Sequence, residues 1–319
     1  MIAEAALSRS SMAEEVLWGL GRMPKALPPK LLYDAEGSAL FEQITALPEY
    51  YLSRLEAAIL EQHADEMVAR AGESLTLVEL GAGSAAKSRI VIRALLRRQK
   101  SSTFYPVDVS PAPLQAAAEA LPAEFCGLRV EPVVADYCDR LGWLRRLPGR
   151  KLVLYIGSSI GNFDPVAATA LLAAIRSALG RGDVLLVGTD LAKDPAMLVA
   201  AYDDAQGVTA RFNRNVLARI NRELGGHFDL ASFRHVAAWN DRHSCMQMYL
   251  ESQRAQLVPI DALDFAAFFA AGERIHTENS YKFTAAMVDS VIGNAGLSLE
   301  ATWTDPRQWF AVHMARVVT

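Results

Sequence analysis

Glycines, carboxylates and one aromatic residue directly follow three apolar runs of the sequence. Gly81 and Gly83 follow the run LTLVEL, Asp108 follows TFYPV, and Asp136 and Tyr137 follow VEPVVA. Ligands of open α/β sheets bind at the carboxyl ends of the strands. Glycines let the backbone approach a ligand, a carboxylate after the next strand accepts hydrogen bonds from ribose hydroxyls, and a carboxylate beside an aromatic ring suits adenine. The series predicts a nucleoside-like cofactor.

The glycine loop departs from the dinucleotide-binding fingerprint. The segment ELGAGSAAKS contains GxG but not GxGxxG, because position 86 is Ala. A pyrophosphate favours the third glycine, whereas a loop that closes over a methionine moiety has no such need. Lys87 lies one turn into the following helix, where it can reach a cofactor carboxylate or be a solvated surface lysine. A single GxG also suits a plain strand-to-helix turn, so the prediction depends on the whole series of strand ends.

Five βα units are predicted to position these strand ends. Short apolar runs alternate with Ala/Leu-rich amphipathic segments, which is typical of a parallel sheet. The predicted strands are 75–80, 103–109, 130–136, 151–157 and 183–190, followed near the end of the chain by a helix at 284–295 and strands at 297–305 and 309–318. The terminal strand hairpin predicts an α/β fold with a seven-stranded, doubly wound, Rossmann-like methyltransferase sheet that contains one antiparallel strand.

The remaining segments predict a second domain. Residues 1–58 have a helical pattern broken by several prolines, which predicts a lid rather than a sheet. After Asp190 the βα alternation stops, and residues 195–283 have the pattern of polar helices followed by strands. We therefore expect a methyltransferase domain over 59–194 and 284–319. The lid at 1–58 and the insertion at 195–283 are expected to form the substrate-binding domain.

Composition and charge exclude several classes of protein. The net charge is −4, from 32 basic and 36 acidic residues, and the two signs are interspersed, which argues against a nucleic-acid or membrane partner. The N-terminus lacks the apolar core of a signal peptide, and no apolar segment approaches the roughly 20 residues that span a bilayer. The three cysteines are scattered and the six histidines lack metal-ligand spacing. We expect a monomeric cytoplasmic protein without a metal.

Long motifs of this chain resemble one enzyme family. They include LPPKLLYDAEGSALFEQITALPEYYLSR, ELGAGSAAKSR, YPVDVS, GTDLAKDPAMLVAAYDDAQGVTARFNRNVL, NRELGGHFD and ERIHTENSYKF. Together with the loop GSSIGNFD they are similar to the histidine-specific Nα-methyltransferases, from about Pro28 to the last strand. Those enzymes form hercynine, the trimethylated histidine of ergothioneine biosynthesis. The resemblance implies that S-adenosylmethionine is the methyl donor and that free L-histidine is the acceptor.

The resemblance also assigns roles to single positions. The residues that match the family's S-adenosylmethionine site are Gly81, Lys87, Asp108, Asp136 and Tyr137. They are the residues that the strand ends already indicate. The two lines of reasoning therefore predict the same cofactor site.

Three further matches concern the amino and carboxylate groups of histidine. The resemblance implies that Asn162 holds both groups, that Tyr202 binds the carboxylate, and that Tyr33 lies near the accepting nitrogen with a positioning or proton-relay role. The loop departs from the expected pattern, since Ser158 and Ser159 stand where we expect a glycine pair. An alternative is that Asn162 merely caps the following helix.

The imidazole ring is expected to be bound by a separate set of residues. The resemblance implies that Tyr50, Glu278 and Ser280 contact the ring and that Met248 lines the pocket. Residues two apart on a strand face the same side, so Glu278 and Ser280 can grip one ring together. The alternative is that both are ordinary polar residues on the surface of a strand.

Other functions stay open on the sequence alone. One is Nα-methylation of another amino acid, such as a tryptophan derivative, although an indole offers only one N–H group. A second is a non-catalytic protein that binds S-adenosylmethionine or histidine. A third is a dehydrogenase, which the missing third glycine and the terminal strand hairpin disfavour.

Overall fold

A computed structural model describes residues 9–138 and 141–318. The helices of this part are α1 (Arg9–Gly21), α2 (Ala35–Thr45), α3 (Leu52–Ala71), α4 (Ser88–Gln99), α5 (Pro111–Glu124), α6 (Pro165–Ser177), α7 (Pro195–Tyr202), α8 (Val208–Leu224) and α9 (Ala285–Asn294). The strands are β1 (Lys25–Ala26), β2 (Leu75–Leu80), β3 (Ser102–Asp108), β4 (Leu128–Val130), β5 (Val133–Val134), β6 (Arg150–Tyr155), β7 (Val184–Asp190), β8 (Phe233–Asn240), β9 (Cys245–Ser252), β10 (Gln256–Ile260), β11 (Phe265–Phe269), β12 (Arg274–Tyr281), β13 (Ser298–Thr304) and β14 (Phe310–Arg316). The first eight residues of the predicted lid lie outside the described part.

The described chain divides into two compact units. The first unit contains residues 52–138, 141–192 and 281–318, and the second contains residues 9–51 and 193–280. Each unit has its own sheet. The assignment of one unit to the cofactor and the other to the substrate is a prediction that we take up below.

The first unit is built on a sheet with the strand order β13-β14-β7-β6-β2-β3-β4. The strands from β7 to β4 run parallel, and β14 runs antiparallel to both β7 and β13. Every residue of β2 and β7 is buried, as expected for central strands of a parallel sheet covered by helices on both faces. The predicted α/β fold with a mixed sheet and one antiparallel strand is confirmed, but the sheet has eight strands rather than the predicted seven, because β5 also pairs with β3.

One predicted strand, at 130–136, is present as two pieces. The pieces β4 and β5 both pair with β3, and the register places Phe104 opposite Val130 and Val107 opposite Val133. Pro106 and Pro132 therefore lie side by side between these pairs, and neither has an N–H group for the ladder. The ladder is interrupted there and resumes at β5, which carries the chain to Asp136.

The second unit contains a four-stranded sheet in the order β1-β12-β9-β8 and a separate hairpin of β10 and β11. The short strand β1 pairs in parallel with β12, so the prediction that the N-terminal segment contributes no strand is wrong. A strand of two residues is too short to show the alternating hydrophobic pattern by which strands are predicted. Helices α2 and α8 pack together. A Cβ atom at Gly37 in the first turn of α2 would lie 1.7 Å from the carbonyl oxygen of Leu32 and 3.0 Å from the side-chain amide nitrogen of Asn215 on α8, so this close packing requires glycine.

None of the helices within residues 9–138 and 141–318 has the length and apolar character that a membrane span requires.

Candidate active site

The glycine loop lies at the carboxyl end of β2. Gly81 and Gly83 have φ angles of +77° and +51°, in the left-handed region that favours glycine. The N–H of Gly81 donates to the carbonyl of Val107 at 2.8 Å, which ties the loop to the end of β3. A Cβ atom at Gly83 would meet no atom within 4 Å, so the backbone is accessible at this position.

The Asp108 carboxylate is held by the backbone. It accepts hydrogen bonds from the N–H groups of Gly83 and Ser110, both at 2.9 Å. Burial raises the pKa of this carboxyl, against the opposing effect of the N–H donors. A carboxylate has about four acceptor positions, so donors such as two ribose hydroxyls can still bind. The residue fits the cofactor role that its place at the carboxyl end of β3 predicts.

Tyr137 lies beside the glycine loop. A Cβ atom at Gly81 would be 3.5 Å from Cε1 of its ring, and the ring meets Tyr155 edge to face with the centroids 5.4 Å apart. Burial raises the pKa of the Tyr137 hydroxyl, which therefore stays protonated. The neighbouring Asp136 accepts a hydrogen bond from the N–H of Cys138 at 2.9 Å. An apolar ring and a carboxylate at one strand end fit an adenine base.

Lys87 stands at the start of α4, and its ammonium group is paired with the carboxylate of Glu56 on α3. The Lys87 side chain is 23% exposed and that of Glu56 is not exposed at all, so Lys87 is not a solvated surface lysine. Both oxygens of Glu56 also accept from the N–H of Gly157 at 2.9 Å. Sequence reasoning missed Glu56, because one glutamate in a long helix gives no sign of a partner 101 residues away.

A second buried carboxylate, Glu79, lies at the end of β2. It accepts a hydrogen bond from the Ser88 hydroxyl. Burial raises its pKa to about 8, and the Ser88 donor and the Lys87 charge oppose this only in part. Glu79 is therefore largely protonated at neutral pH and adds little negative charge near Lys87.

The loop after β6 contains Asn162. Ser158 has a φ angle of +58°, which explains why the sequence pattern led us to expect glycine there. Serine gains a contact in return, because the N–H of Asp190 donates to its hydroxyl at 2.9 Å. A Cβ atom at Gly161 would lie 3.0 Å from the carbonyl oxygen of Tyr281. The loop thus packs closely on Asp190 and Tyr281, which belong to the same unit.

Asn162 itself is half-buried, and its side-chain amide makes no hydrogen bond within the described residues. The alternative that it caps the following helix is wrong. The cap of α6 is Asp164, whose carboxylate accepts from the N–H groups of Val166 and Ala167 at 2.9 and 2.8 Å. The amide of Asn162 is therefore available for a ligand.

In the second unit, aromatic rings connect three of the predicted substrate residues. Tyr33 meets Phe41 with the centroids 5.6 Å apart, Phe41 meets Tyr50 at 6.2 Å, and Tyr50 meets Tyr202 at 6.3 Å. The Tyr202 hydroxyl lies 2.7 Å from the hydroxyl of Ser280. The predicted residues Tyr33, Tyr50, Tyr202 and Ser280 are thus brought together through one intervening phenylalanine.

Glu278 and Met248 lie on the neighbouring strands β12 and β9. The Thr277 hydroxyl donates to the carbonyl of Met248 at 3.0 Å, which joins the two strands at this level. Glu278, Ser280 and Met248 are 7%, 6% and 3% exposed. The alternative of polar residues on a strand surface is therefore wrong for Glu278 and Ser280. Burying an acidic side chain is costly unless it has hydrogen-bond partners.

The position of Tyr33 is fixed by the next residue in the chain. Asp34 caps α2 by accepting from the N–H of Gly37 at 2.7 Å. The same oxygen accepts from the side-chain amide of Asn215 on α8 at 2.7 Å, and Arg222 pairs with the other oxygen. These bonds attach the start of α2, and with it Tyr33, to α8.

His235 bonds to the backbone of Tyr202, a contact that the sequence did not predict. Its Nε2 lies 2.9 Å from the carbonyl oxygen of Tyr202, and its Nδ1 lies 2.9 Å from the side-chain amide nitrogen of Asn213. The amide donates to Nδ1, so Nε2 carries the proton and donates to Tyr202. Burial lowers the pKa of His235, which favours this neutral form.

Within residues 9–138 and 141–318 there is no group of three or more His, Cys, Asp or Glu side chains that could hold a metal ion.

Comparison with known proteins identifies the family. A family model described as histidine-specific methyltransferase, SAM-dependent, matches residues 12–317. The chain is 45% identical over 96% of its length, and 94% of the relative's, to Histidine N-alpha-methyltransferase of Mycolicibacterium smegmatis. It is 30% identical to Ergothioneine biosynthesis protein 1 of Neurospora crassa, over 88% of this chain and 32% of that protein. It is also 27% identical over 92% of both chains to 4-dimethylallyltryptophan N-methyltransferase of Epichloe festucae var. lolii.

The match of the family model covers nearly all of the described chain and includes every residue that the sequence assigns to the cofactor or the substrate. The predicted family and its methyl donor are therefore confirmed. This chain belongs to the family of S-adenosylmethionine-dependent, histidine-specific methyltransferases.

Proposed function

We propose that this protein transfers methyl groups from S-adenosylmethionine to the α-amino nitrogen of free L-histidine and carries the reaction to the trimethylated amino acid. Family membership and the 45% identity to a histidine N-alpha-methyltransferase support this function. The observation that carries the choice of substrate is the buried polar pair Glu278 and Ser280 on β12, with Ser280 bonded to the Tyr202 hydroxyl. The similarity to Ergothioneine biosynthesis protein 1 supports a place for the product in ergothioneine biosynthesis.

The residues that we assign to S-adenosylmethionine all belong to the first unit. They are Gly81, Lys87, Asp108, Asp136 and Tyr137. Asp108 accepts hydrogen bonds from the ribose, Asp136 and Tyr137 bind the adenine, and Lys87 binds the carboxylate of the methionine moiety. The bound cofactor supplies a methyl group on a positively charged sulfur. An amine can take this methyl group by in-line displacement of the sulfur, without a metal.

The accepting nitrogen must be uncharged when it reacts, although the amino group of a free amino acid is mostly protonated at neutral pH. We assign Asn162 to the amino and carboxylate groups and Tyr202 to the carboxylate. Tyr33 positions the amine or accepts its proton on the way to water. A polar but uncharged environment favours the neutral amine, because a charged ammonium loses hydration there without gaining a counter-ion.

Recognition of the imidazole is assigned to Glu278, Ser280, Tyr50 and Met248. The Glu278 carboxylate accepts a hydrogen bond from one ring N–H, and the Ser280 hydroxyl serves the other ring nitrogen. A buried polar pair rejects an amino acid that lacks the matching nitrogen, because its own groups are then left without partners. An indole offers one N–H and a larger ring, so a tryptophan derivative satisfies this pair less well.

A panel of amino acids incubated with methyl-labelled S-adenosylmethionine tests the function. Histidine should be methylated well above tryptophan, tryptophan derivatives and the other amino acids. Preferred labelling of an indole amino acid would replace histidine as the substrate. Binding of both ligands without any transfer would make the chain a non-catalytic binding protein.

The Glu278→Gln variant tests which residue selects the substrate. It should raise the KM for histidine by about tenfold or more, as expected when a hydrogen bond to a charged group is lost, and leave the affinity for S-adenosylmethionine unchanged. Glu251→Gln is a matched control, since Glu251 lies on the adjacent strand β9 and pairs with Arg234 and Arg274. Equal loss of histidine and cofactor binding in Glu278→Gln contradicts the assignment.

We further propose that the protein acts as a cytoplasmic monomer on small molecules rather than on nucleic acid or at a membrane. The interspersed charges and the net charge of −4 support this. Size-exclusion chromatography with light scattering measures the oligomeric state directly.

A further inference from the structure

The first unit contains an ion pair that takes no part in the roles assigned above. Asp190, the last residue of β7, and Lys282, the residue after β12, have their carboxylate and ammonium groups 2.8 Å apart. Neither side chain is exposed to solvent. A fully buried ion pair gains little stability over apolar residues of the same size, because both charges lose their hydration. Its presence therefore needs another explanation.

Within the same unit, the backbone around the pair joins residues 190–192 to Phe283. The N–H of Phe283 donates to the carbonyl of Asp190 at 2.8 Å, and the N–H of Ala192 donates to the carbonyl of Phe283 at 2.9 Å. Leu191 and Phe283 form a parallel bridge. Side chains and backbone thus hold the segments 190–192 and 281–283 together as one seat.

The loop that carries Asn162 rests on this seat at two points. The N–H of Asp190 donates to the hydroxyl of Ser158 at 2.9 Å, and the backbone of Tyr281 lies against Gly161, where a Cβ atom would be 3.0 Å from its carbonyl oxygen. Ser158 holds a left-handed backbone conformation that is unfavourable for serine, with a φ angle of +58°. The loop needs outside contacts to keep this shape, and the seat supplies them.

We propose that Asp190 and Lys282 are positioning residues for histidine: their ion pair holds the 190–192 and 281–283 segments in the arrangement that shapes the Ser158–Asn162 loop and aims the Asn162 amide. This inference rests on the proposed function, because it assigns the loop to the amino acid. It predicts that loss of the pair affects histidine and spares S-adenosylmethionine.

The same strand offers a matched control. Asp183, which directly precedes the first residue of β7, pairs with Lys151 at 3.5 Å, and their side chains are 4% and 11% exposed. This pair is buried in the same unit but lies at the amino ends of the strands, away from the loops that carry the assigned residues. A general loss of stability should be similar for both pairs.

The test compares two double variants. One carries Asp190→Asn together with Lys282→Met, and the control carries Asp183→Asn together with Lys151→Met. Removing both charges avoids leaving one of them buried alone, so both proteins should fold. The first should raise the KM for histidine by about tenfold, as expected when one directed hydrogen bond is lost, with the KM for S-adenosylmethionine within about twofold of wild type. The control should change neither KM by more than about twofold. An unchanged histidine KM in the first variant, or an equal rise in both, overturns the proposal.

Hydrogen exchange provides a readout that does not need activity. Exchange over residues 157–163 should become faster in the Asp190/Lys282 variant and stay at the wild-type rate in the control. If the double variant does not fold, the single variant Ser158→Ala is used, which removes only the acceptor for the Asp190 N–H. This variant should also raise the KM for histidine and make hydrogen exchange in the loop faster. A wild-type KM together with a wild-type exchange rate overturns the proposal. A failure of the proposed function is distinct, because wild-type protein then leaves histidine unmethylated.

Discussion

The ammonium group of Lys87 is paired with the carboxylate of Glu56, a side chain with no solvent exposure. That carboxylate also accepts the N–H of Gly157 at the start of the loop after β6. Gly188 on β7 makes room for it, since a Cβ atom there would lie 2.0 Å from Oε1 of Glu56. Glu56 thus orients the ammonium group of Lys87, which we propose binds the carboxylate of S-adenosylmethionine.

Gly188→Ala should displace Glu56 and with it Lys87. We expect the affinity for S-adenosylmethionine to fall by about tenfold, and overpacking to lower the free energy of unfolding by roughly 1–3 kcal/mol. Calorimetric titration and denaturant unfolding measure the two effects. Gly293→Ala in α9 is the control, because a Cβ atom there meets nothing within 4 Å, and it should be neutral or stabilising by about 0.5–1 kcal/mol. Wild-type cofactor affinity in Gly188→Ala argues against the role given to Glu56.

Asp108→Asn should weaken cofactor binding without changing histidine binding. An amide places an NH₂ group towards one of the two backbone N–H donors at 2.9 Å and removes acceptor capacity for the ribose, so we expect a loss of about tenfold to a hundredfold in affinity. The wild-type affinity should also fall as the pH is lowered, because the binding form is the carboxylate and burial raises its pKa. Titrations over a range of pH should show this slope in the wild type and a flatter one in the variant. The same slope in both excludes Asp108 as its source.

Tyr33→Phe tests whether the tyrosine hydroxyl acts on the reacting nitrogen, as we propose. The ring should keep its contacts with Phe41 and Phe212, at 5.6 and 5.3 Å between centroids, so folding is expected to be unaffected. If the hydroxyl positions the amine or relays its proton, kcat should fall by about a hundredfold and the pH dependence of kcat should shift. Turnover close to wild type at every pH, with the same distribution of mono-, di- and trimethylated products, would leave Tyr33 with packing alone.

Glu79 should make the stability of the protein depend on pH. Burial raises its pKa from 4.5 to about 8 in the folded protein, so the folded state holds one more proton than the unfolded state between these values. The stabilisation is complete below the unfolded pKa and is lost as the pH rises through the folded one, with a slope of up to about 1.4 kcal/mol per pH unit. Glu79→Gln should remove this contribution in denaturant unfolding measured from pH 5 to about 8. A variant with the wild-type slope would show that Glu79 is ionised in the folded protein.

The sheet of the first unit was predictable because its strands are short apolar runs between helical segments. The predicted strand at 75–80 has the observed bounds of β2, and the strand at 183–190 differs from β7 by one residue. The interruption between β4 and β5 was not predicted, since it arises only when Pro106 and Pro132 become neighbours in the register. Local pattern decides which elements form, and pairing between distant segments decides where they break.

The strand-end pattern and the long motifs identified the candidate site residues, but the side chains that hold these residues in place were not predictable from the sequence. Glu56 accepts a hydrogen bond from the N–H of Gly157, and His235 bonds to the carbonyl of Tyr202. Both partners are distant in the chain. Neither has neighbours in the chain that indicate such a contact. Burial of Glu278 and Ser280 depends likewise on how β12 pairs within its sheet. The residue types of the site could be read from the sequence, whereas the contacts that orient their side chains depend on the fold.

Identification of the product tests the central claim most directly. L-histidine and methyl-labelled S-adenosylmethionine should give products heavier by one, two and three methyl groups, and nuclear magnetic resonance should place every label on the α-nitrogen, with the trimethylated form accumulating last. Label on an imidazole nitrogen, or transfer to another amino acid in preference to histidine, would contradict the account.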